Sequence, residues 1–225
     1  MSWRPTVVDI VGTFTEASNA TLLATTDDGT SVVYKPRSGE RPLWDFPAGS
    51  LADREVLSHW IDRSLGFGLV PETVLAGGPL GEGAVQRFVA HEARWDPLTS
   101  AGRGDAVLWP VAVLDLVANN ADRKLGHILK TPEGLASVDH GLTFHEDDKL
   151  RTVLWAFAGR QIPDRYLGSL RRLRRDLDDE LGDDVAPMLA AQELEALVTR
   201  IDDLLANPVH PLPPGDRPPL PWPPY

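Results

Sequence analysis

Alternation of apolar and polar positions opens the chain and then gives way to helical spacing. Residues 7–14 and 20–26 read as strands, separated by the polar stretch 15–19. Asp28-Gly29 supplies a hairpin turn before a third strand over 31–35, so the chain begins as an antiparallel meander. Residues 36–49 hold many Pro and Gly and read as a loop, whose Trp44 and Phe46 are expected to pack under the sheet. Over 50–65 the period changes. Leu51, Val56, Leu57, Trp60, Ile61 and Leu65 fall at helical spacing behind Ser50 as N-cap. Two further strands, 70–76 and 84–89, flank the turn Gly77-Gly78-Pro79.

Beyond residue 89 the pattern shifts. A polar linker, 91–105, leads to an apolar helix over 107–118 and then to a dense polar loop, 119–129, that runs into a short strand. A short strand or turn follows at 137–144, and from 150 the chain reads as helical, most strongly over 166–181 and 192–206. Residues 207–225 are so rich in proline that neither helix nor central strand is open to them. They read as an extended, mobile tail, able to dock on a protein partner as a polyproline II ligand or to fold back on its own domain. The whole predicts an α+β fold with two lobes, of the kinase-like kind: a β-rich N-lobe with one helix (about 1–90), a mainly helical C-lobe (about 91–206), then the tail.

Composition narrows the function. A net charge of -11 disfavours nucleic acid and anionic membranes as partners. The absence of cysteine excludes disulfides, thiolate metal sites, cysteine nucleophiles and palmitoylation. With no apolar run fit to span a bilayer, no stable membrane anchor and no signal core, the expected location is the cytoplasm. Arginine far outnumbers lysine, which suggests a GC-rich genome.

Three sites stand out chemically. Lys35 is one of only four lysines and ends an apolar strand. Phosphoryl transfer needs a fixed cation on the α/β-phosphates, with a carboxylate such as Glu55 to hold it; for this residue alone, an edge lysine with its head in water is the commoner reading. The loop Asn120-Ala121-Asp122-Arg123-Lys124-Leu125-Gly126-His127 offers a carboxylate to orient a hydroxyl and accept its proton, or an ordinary turn. Val138-Asp139-His140-Gly141 offers a carboxylate for Mg²⁺, or again a turn. The stretch 15–19 could cover phosphates with backbone N–H groups. No zinc signature, Walker A motif or Rossmann fingerprint is present, and Arg171, Arg172, Arg174 and Arg175, followed by Asp176, Asp178, Asp179 and Glu180, read as a solvated helix with intrahelical ion pairs.

Taken in order, these segments resemble the phosphatidylinositol 3-/4-kinase-like family. Asn119-Asn120-Ala121-Asp122-Arg123-Lys124-Leu125-Gly126-His127 is similar to the catalytic loop N-T-D-R-x-x-x-N of the type II phosphatidylinositol 4-kinases. Ser137-Val138-Asp139-His140-Gly141-Leu142-Thr143-Phe144 resembles their metal segment I-D-N-G-L-A-F, and Val33-Tyr34-Lys35-Pro36 their V-F-K-P strand. Val70-Pro71-Glu72-Thr73 and Gln86-Arg87-Phe88-Val89 resemble V-P-x-T and the hinge Q-x-F-V. Small bacterial proteins of this type, typical of actinobacteria, look similar. The resemblance implies ATP and Mg²⁺ or Mn²⁺ as cofactors. It implies Asp122 as catalytic aspartate, Lys35 on the phosphates with Glu55 holding it, and Asp139 with His127 at the metal. Gln86, Arg87, Phe88 and Val89 would lie along adenine, and Ser18 and Asn19 in the phosphate-covering loop. His127 stands where the family has asparagine. Imidazole suits Mn²⁺ better than Mg²⁺.

The resulting expectation is an atypical kinase that moves the γ-phosphate of ATP to a hydroxyl on a protein or a small molecule, a phosphoinositide included. The alternatives are a nucleotide-binding pseudokinase scaffold, an AMP transferase on the same fold, and a binding domain that takes no nucleotide.

Overall fold

A computed structural model describes residues 3–15, 18–92 and 95–225. Five antiparallel strands make one twisted sheet in the order β1-β2-β3-β5-β4: β1 Val7–Thr13, β2 Leu22–Thr26, β3 Ser31–Pro36, β4 Thr73–Gly78 and β5 Gly81–Arg87. The register sets Lys35 of β3 opposite Ala84, and Pro36 opposite Gly83. A Cβ on Gly83 would overlap the main chain of Lys35 and Pro36, so glycine there lets the sheet close around the end of β3. Helix α1, Leu51–Leu65, lies against the sheet, with Glu40 accepting the free N–H of Ala52 at its first turn (3.1 Å).

The second lobe contains α2 Pro97–Arg103, α3 Trp109–Ala118, the hairpin β6 Ile128–Thr131 with β7 Gly134–Ser137, α4 Asp164–Asp178, α5 Glu180–Val185 and α6 Ala191–Ala206. Its core gathers Leu108, Val113, Leu114, Val117, Phe157, Leu170, Leu173 and Leu197 and extends to Leu57, Ile61 and Leu65 of α1. A smaller cluster of Val7, Leu22, Val32, Tyr34 and Val85 belongs to the sheet alone.

The two-lobed α+β architecture therefore agrees with the sequence pattern, while several segments differ. The linker expected over 91–105 contains α2. Asp96 accepts the Leu98 N–H at 3.0 Å and Pro97 occupies the first helical position, a start signal hidden in a polar stretch. Residues 138–144 are irregular, and 150–163 hold only a short 3₁₀ turn at Trp155–Phe157 in place of helix. Phe46 is buried edge-on to His145 with Arg54 over its ring, whereas Trp44 is 91% exposed beneath the Lys149 ammonium. The tail is extended, but it is laid down on the second lobe instead of free. Ile162 N–H donates to Pro208 C=O (2.7 Å) and Gly159 N–H to His210 C=O (2.9 Å). The His210 ring is buried against Trp155, Trp109 and Phe157. Its rigid prolines lower the entropy lost in ordering it.

Helix α1 is clamped from both ends. Arg54 at its start is 1% exposed and donates to Glu193 of α6 at 2.6 Å. At its other end Arg172 of α4 donates to the carbonyls of Ser64 and Leu65, both at 2.6 Å. Within the basic run, Arg174 makes the expected i,i+4 pair with Asp178, but Arg172 acts as a tertiary cap that the charge pattern conceals.

Asp62 of α1 is fully buried. Burial pushes its carboxyl up to about 6, against the pull of the Val70 and Leu69 N–H groups that donate to Oδ2 at 3.0 and 2.8 Å. An unfolded aspartate titrates near 4, so the folded chain takes up a proton between about pH 4 and 6. This group therefore withdraws about 2–3 kcal/mol of stability as pH rises through that window. Asp62→Asn keeps an acceptor for both N–H groups and removes the carboxylate whose charged form burial disfavours. Urea unfolding of Asp62→Asn should lack this loss between pH 4 and 7 and give a protein about 2 kcal/mol more stable than wild type at pH 8.

Candidate active site

Lys35 sits where β3 ends under the sheet, and its Nζ contacts two carboxylates. One is Glu55 on α1, a direct ion pair; the other is Asp139 Oδ1 at 2.9 Å, from the segment after β7. Burial opposes the charge on Lys35, but Asp139 and Glu55 outweigh it, and the ammonium is held well above its usual range. Glu55, nearly inaccessible, is pushed up by burial and pulled back by Lys35. Asp139 is half exposed toward the cleft, and despite desolvation Lys35 and His127 hold its carboxyl far below the usual carboxylate range. Its φ of +61° is left-handed, an uncommon conformation for a non-glycine residue.

His127 closes the cluster, with Nε2 at 3.3 Å from Asp139 Oδ2. Burial pushes the imidazole down to about 4, so it is neutral at physiological pH and able to ligate a metal, while Nδ1 is buried with no partner. Among the described residues no group of three or more His, Cys, Asp or Glu side chains forms a complete metal cage. The donors fit an ion that completes its shell with phosphate oxygens, in the manner of nucleotide sites.

Asp122 lies on the loop between α3 and β6. Its Oδ2 is 3.1 Å from Lys124 Nζ, and burial raises its pKa with Lys124 as the main counterweight. The loop is held by groups that the motif reading did not single out. Asn119 ends α3 in a left-handed turn, Asn120 accepts the Asp122 N–H at 2.9 Å, and Ala121 N–H donates to Leu142 C=O at 2.9 Å. Beneath them Arg123 is completely buried. Its Nε meets both oxygens of Asp115 at 3.0 Å, Nη1 donates to Val138 C=O at 3.0 Å, and Nη2 reaches His140 Nε2 at 2.9 Å. Arginine has only donors, so His140 accepts through Nε2, and burial holds that ring neutral, well below its ordinary pKa. One guanidinium thus joins α3, the Asp122 loop and both neighbours of Asp139. The signal for it was a single acid, Asp115, in an otherwise apolar helix.

The structure therefore brings together Lys35, Glu55, Asp139 and His127, with Asp122 on the adjoining loop. The hinge candidates are dispersed in role. Gln86 is buried, with its amide donating to Thr73 at 2.9 Å. Arg87 pairs with Glu72 at 2.8 Å and stacks on Trp3. The Arg87 and Phe88 N–H groups are committed to Glu72 and Ser31 carbonyls. Phe88 and Val89 border a cavity of about 640 Å³ lined also by Phe67, Val107, Pro110 and Leu135; Lys35, Asp122 and Asp139 are not in its lining. Ser18 is exposed, and Asn19 accepts the Arg41 N–H at 2.8 Å; Glu16 and Ala17, the middle of the expected phosphate-covering loop, lie outside the described residues.

No family model matches the chain. Protein Rv2133c of Mycobacterium tuberculosis is 39% identical over 253 aligned positions, spanning 95% of this chain and 91% of that protein. Among solved structures, the Helicobacter pylori proinflammatory kinase CtkA aligns over 88% of this chain and 94% of its own, with a TM-score of 0.56 and 16% identity. The Golgi casein kinase with Mn/ADP bound aligns over 90% and 72% with a TM-score of 0.55 and 14% identity, and hydra Fam20 with sugar over 92% and 86% with 0.51 and 13%. At such identities the likeness is one of fold, and the fold is that of atypical kinases.

Removing Arg123 strands a buried carboxylate, so Arg123→Met should cost about 3–5 kcal/mol in urea unfolding. The double variant Asp115→Leu/Arg123→Met removes both charges and should recover most of that loss. Any turnover should remain absent in it, because Val138 and His140 lose the group that holds Asp139 in its left-handed turn.

Proposed function

We propose that this chain, which belongs to the same family as Protein Rv2133c of Mycobacterium tuberculosis, transfers the γ-phosphate of ATP to a hydroxyl acceptor. The observation that carries the reading is the Lys35 ammonium fixed between Glu55 and Asp139, three residues from three separate elements, beside the Asp122 loop. A surface lysine in water needs no such cradle; a cation that must meet phosphates in one place does. The order of the motifs supports a phosphatidylinositol 3-/4-kinase-like lineage within the atypical kinases.

In this reading Lys35 binds the α/β-phosphates, and Glu55 keeps it from following Asp139. Val89 and the carbonyls of 87–89 face adenine, since the Arg87 and Phe88 N–H groups are used in the sheet. Asp139 and His127 hold a divalent ion, which supplies charge neutralisation at the phosphates; the imidazole favours Mn²⁺ over Mg²⁺. Asp122 orients the acceptor hydroxyl and takes its proton as the acceptor oxygen bonds to Pγ and the bond from Pγ to the bridging oxygen breaks, releasing ADP. The raised pKa of Asp122 makes it a better proton acceptor than a solvated carboxylate. Lys124, 3.1 Å away, balances its charge and is placed to follow the transferred phosphoryl group. A nucleotide-binding scaffold without turnover is the second reading, favoured by His127 in place of asparagine.

The test is transfer from γ-labelled ATP to an acceptor mixture, in Mg²⁺ and separately in Mn²⁺. Wild type should transfer label, faster in Mn²⁺, and Asp122→Ala should lose about 100-fold or more while keeping its ATP-dependent thermal shift. Asp139→Ala should lose transfer in both metals. ATP binding with no transfer in either metal would establish the scaffold reading, and label transferred only from the α-position would establish AMP transfer.

A further inference from the structure

The tail does more than cover the second lobe. Its last residues run onto the Asp122 loop. The Leu125 N–H, three positions beyond Asp122, donates to Pro224 C=O at 2.8 Å. The Tyr225 main chain lies against Gly126, where an added Cβ would sit 3.9 Å from the Tyr225 carbonyl carbon. Further back, Pro219 C=O accepts from both Thr152 N–H (3.2 Å) and Trp155 Nε1 (2.9 Å). Thr152 is itself bridged to Arg123, and Arg151 donates through its main chain to Asn120 C=O (2.9 Å) and through Nε to Ala121 C=O (2.8 Å). The tail, the segment 151–155 and the Asp122 loop thus contact one another pairwise.

We infer that residues 219–225 form a fixed wall of the acceptor site that admits small hydroxyl-bearing molecules and excludes extended polypeptide; this rests on the phosphotransferase reading above. An extended peptide is held chiefly through main-chain hydrogen bonds along its length. A peptide that brings a serine or threonine hydroxyl to Asp122 along the Leu125 side of the loop meets the tail. The donors on that side at Leu125, Thr152 and Trp155 already serve the chain's own tail. The wall is anchored at several points: it is rooted in the buried His210 ring, joined by the Arg217–Asp148 pair at 2.8 Å, and stiffened by proline at 218, 219, 221, 223 and 224. A small polyol, sugar or nucleoside needs no such row of main-chain partners.

Full-length protein and a variant lacking residues 222–225 provide the test; the deletion spares His210, Arg217 and Pro219, so the lobe keeps its anchors. Hydrogen exchange should show the Leu125 amide protected in the full chain and at least about tenfold faster in the truncated one. With γ-labelled ATP, the full chain should label a mixture of polyols, inositol, sugars and nucleosides at least about tenfold faster than a serine/threonine peptide library. Truncation should close that gap to about threefold or less with an unchanged ATP-dependent thermal shift. Peptide labelling by the full chain at the small-molecule rate overturns the inference. So does a folded, ATP-binding truncation whose preference is unchanged, or a Leu125 amide that exchanges equally in both. Absence of any ATP-dependent shift in the full chain sinks the phosphotransferase reading, and the acceptor wall with it, whereas the exchange data report separately on the seat of the tail.

Discussion

The buried Arg123 guanidinium is the constraint on which the site depends. A charge with no access to water is tolerated only if every donor is satisfied, and Asp115, Val138 and His140 supply that satisfaction from α3 and from either side of Asp139. The arrangement is unforgiving in a useful way. If the Asp122 loop shifts, Arg123 loses Asp115; if the Asp139 segment shifts, it loses Val138 and His140. Two chemically different carboxylates are held in fixed relation by a residue that touches no reactant. Replacing the pair by apolar residues should keep most of the lobe's stability, so specificity of geometry is the reason such a pair is worth keeping.

The same logic extends to α1. A helix that presents Glu55 to Lys35 is useful only while it stays against the sheet. Here it is held by Arg54 to Glu193 at one end and by Arg172 at the other. Leu57, Ile61 and Leu65 also belong to the core of the helical lobe, so the helix bridges both lobes and is no satellite of the sheet. Moving it outward would break a buried ion pair, uncover apolar surface and free two capping donors together. The ion pair of Lys35 with Glu55 is therefore fixed by the packing of the helix itself.

Much of this was legible in the sequence, for identifiable reasons. Strands β1 to β5 and helices α1, α3, α4 and α6 were legible from local runs and spacing of apolar residues. Lys35, Asp122 and Asp139 could be named as candidates because motif spacing is local. What stayed hidden depends on partners distant in sequence. Arg172 reads as one of four exposed arginines until α1 is seen beneath it, and Arg123 reads as a loop residue until Asp115 is folded under it. The tail misleads for a different reason. Its proline content forbids helix and sheet interior, and that argues for extension but says nothing about attachment. Attachment came from carbonyl acceptors and one histidine ring, neither of which leaves a periodic trace. Helix α2 was obscured by its polarity, although Asp96 followed by Pro97 is a recognisable start.

His127 shows how one departure from a motif can be consistent with its surroundings. An imidazole beside a carboxylate ordinarily gains a proton and becomes a cation, which would repel a metal ion. Here desolvation and the neighbouring Arg123, Lys35 and Lys124 charges outweigh Asp139 and keep the ring neutral. The cations around the cleft therefore also keep His127 in its neutral form. Asparagine would need no such preparation, but it offers an amide oxygen that suits hard ions, whereas a neutral imidazole nitrogen shifts the preference toward transition metals. The substitution and the basic surroundings make sense as a pair: on the proposed reading, the field that would bind ATP is the same field that keeps the histidine neutral at this position.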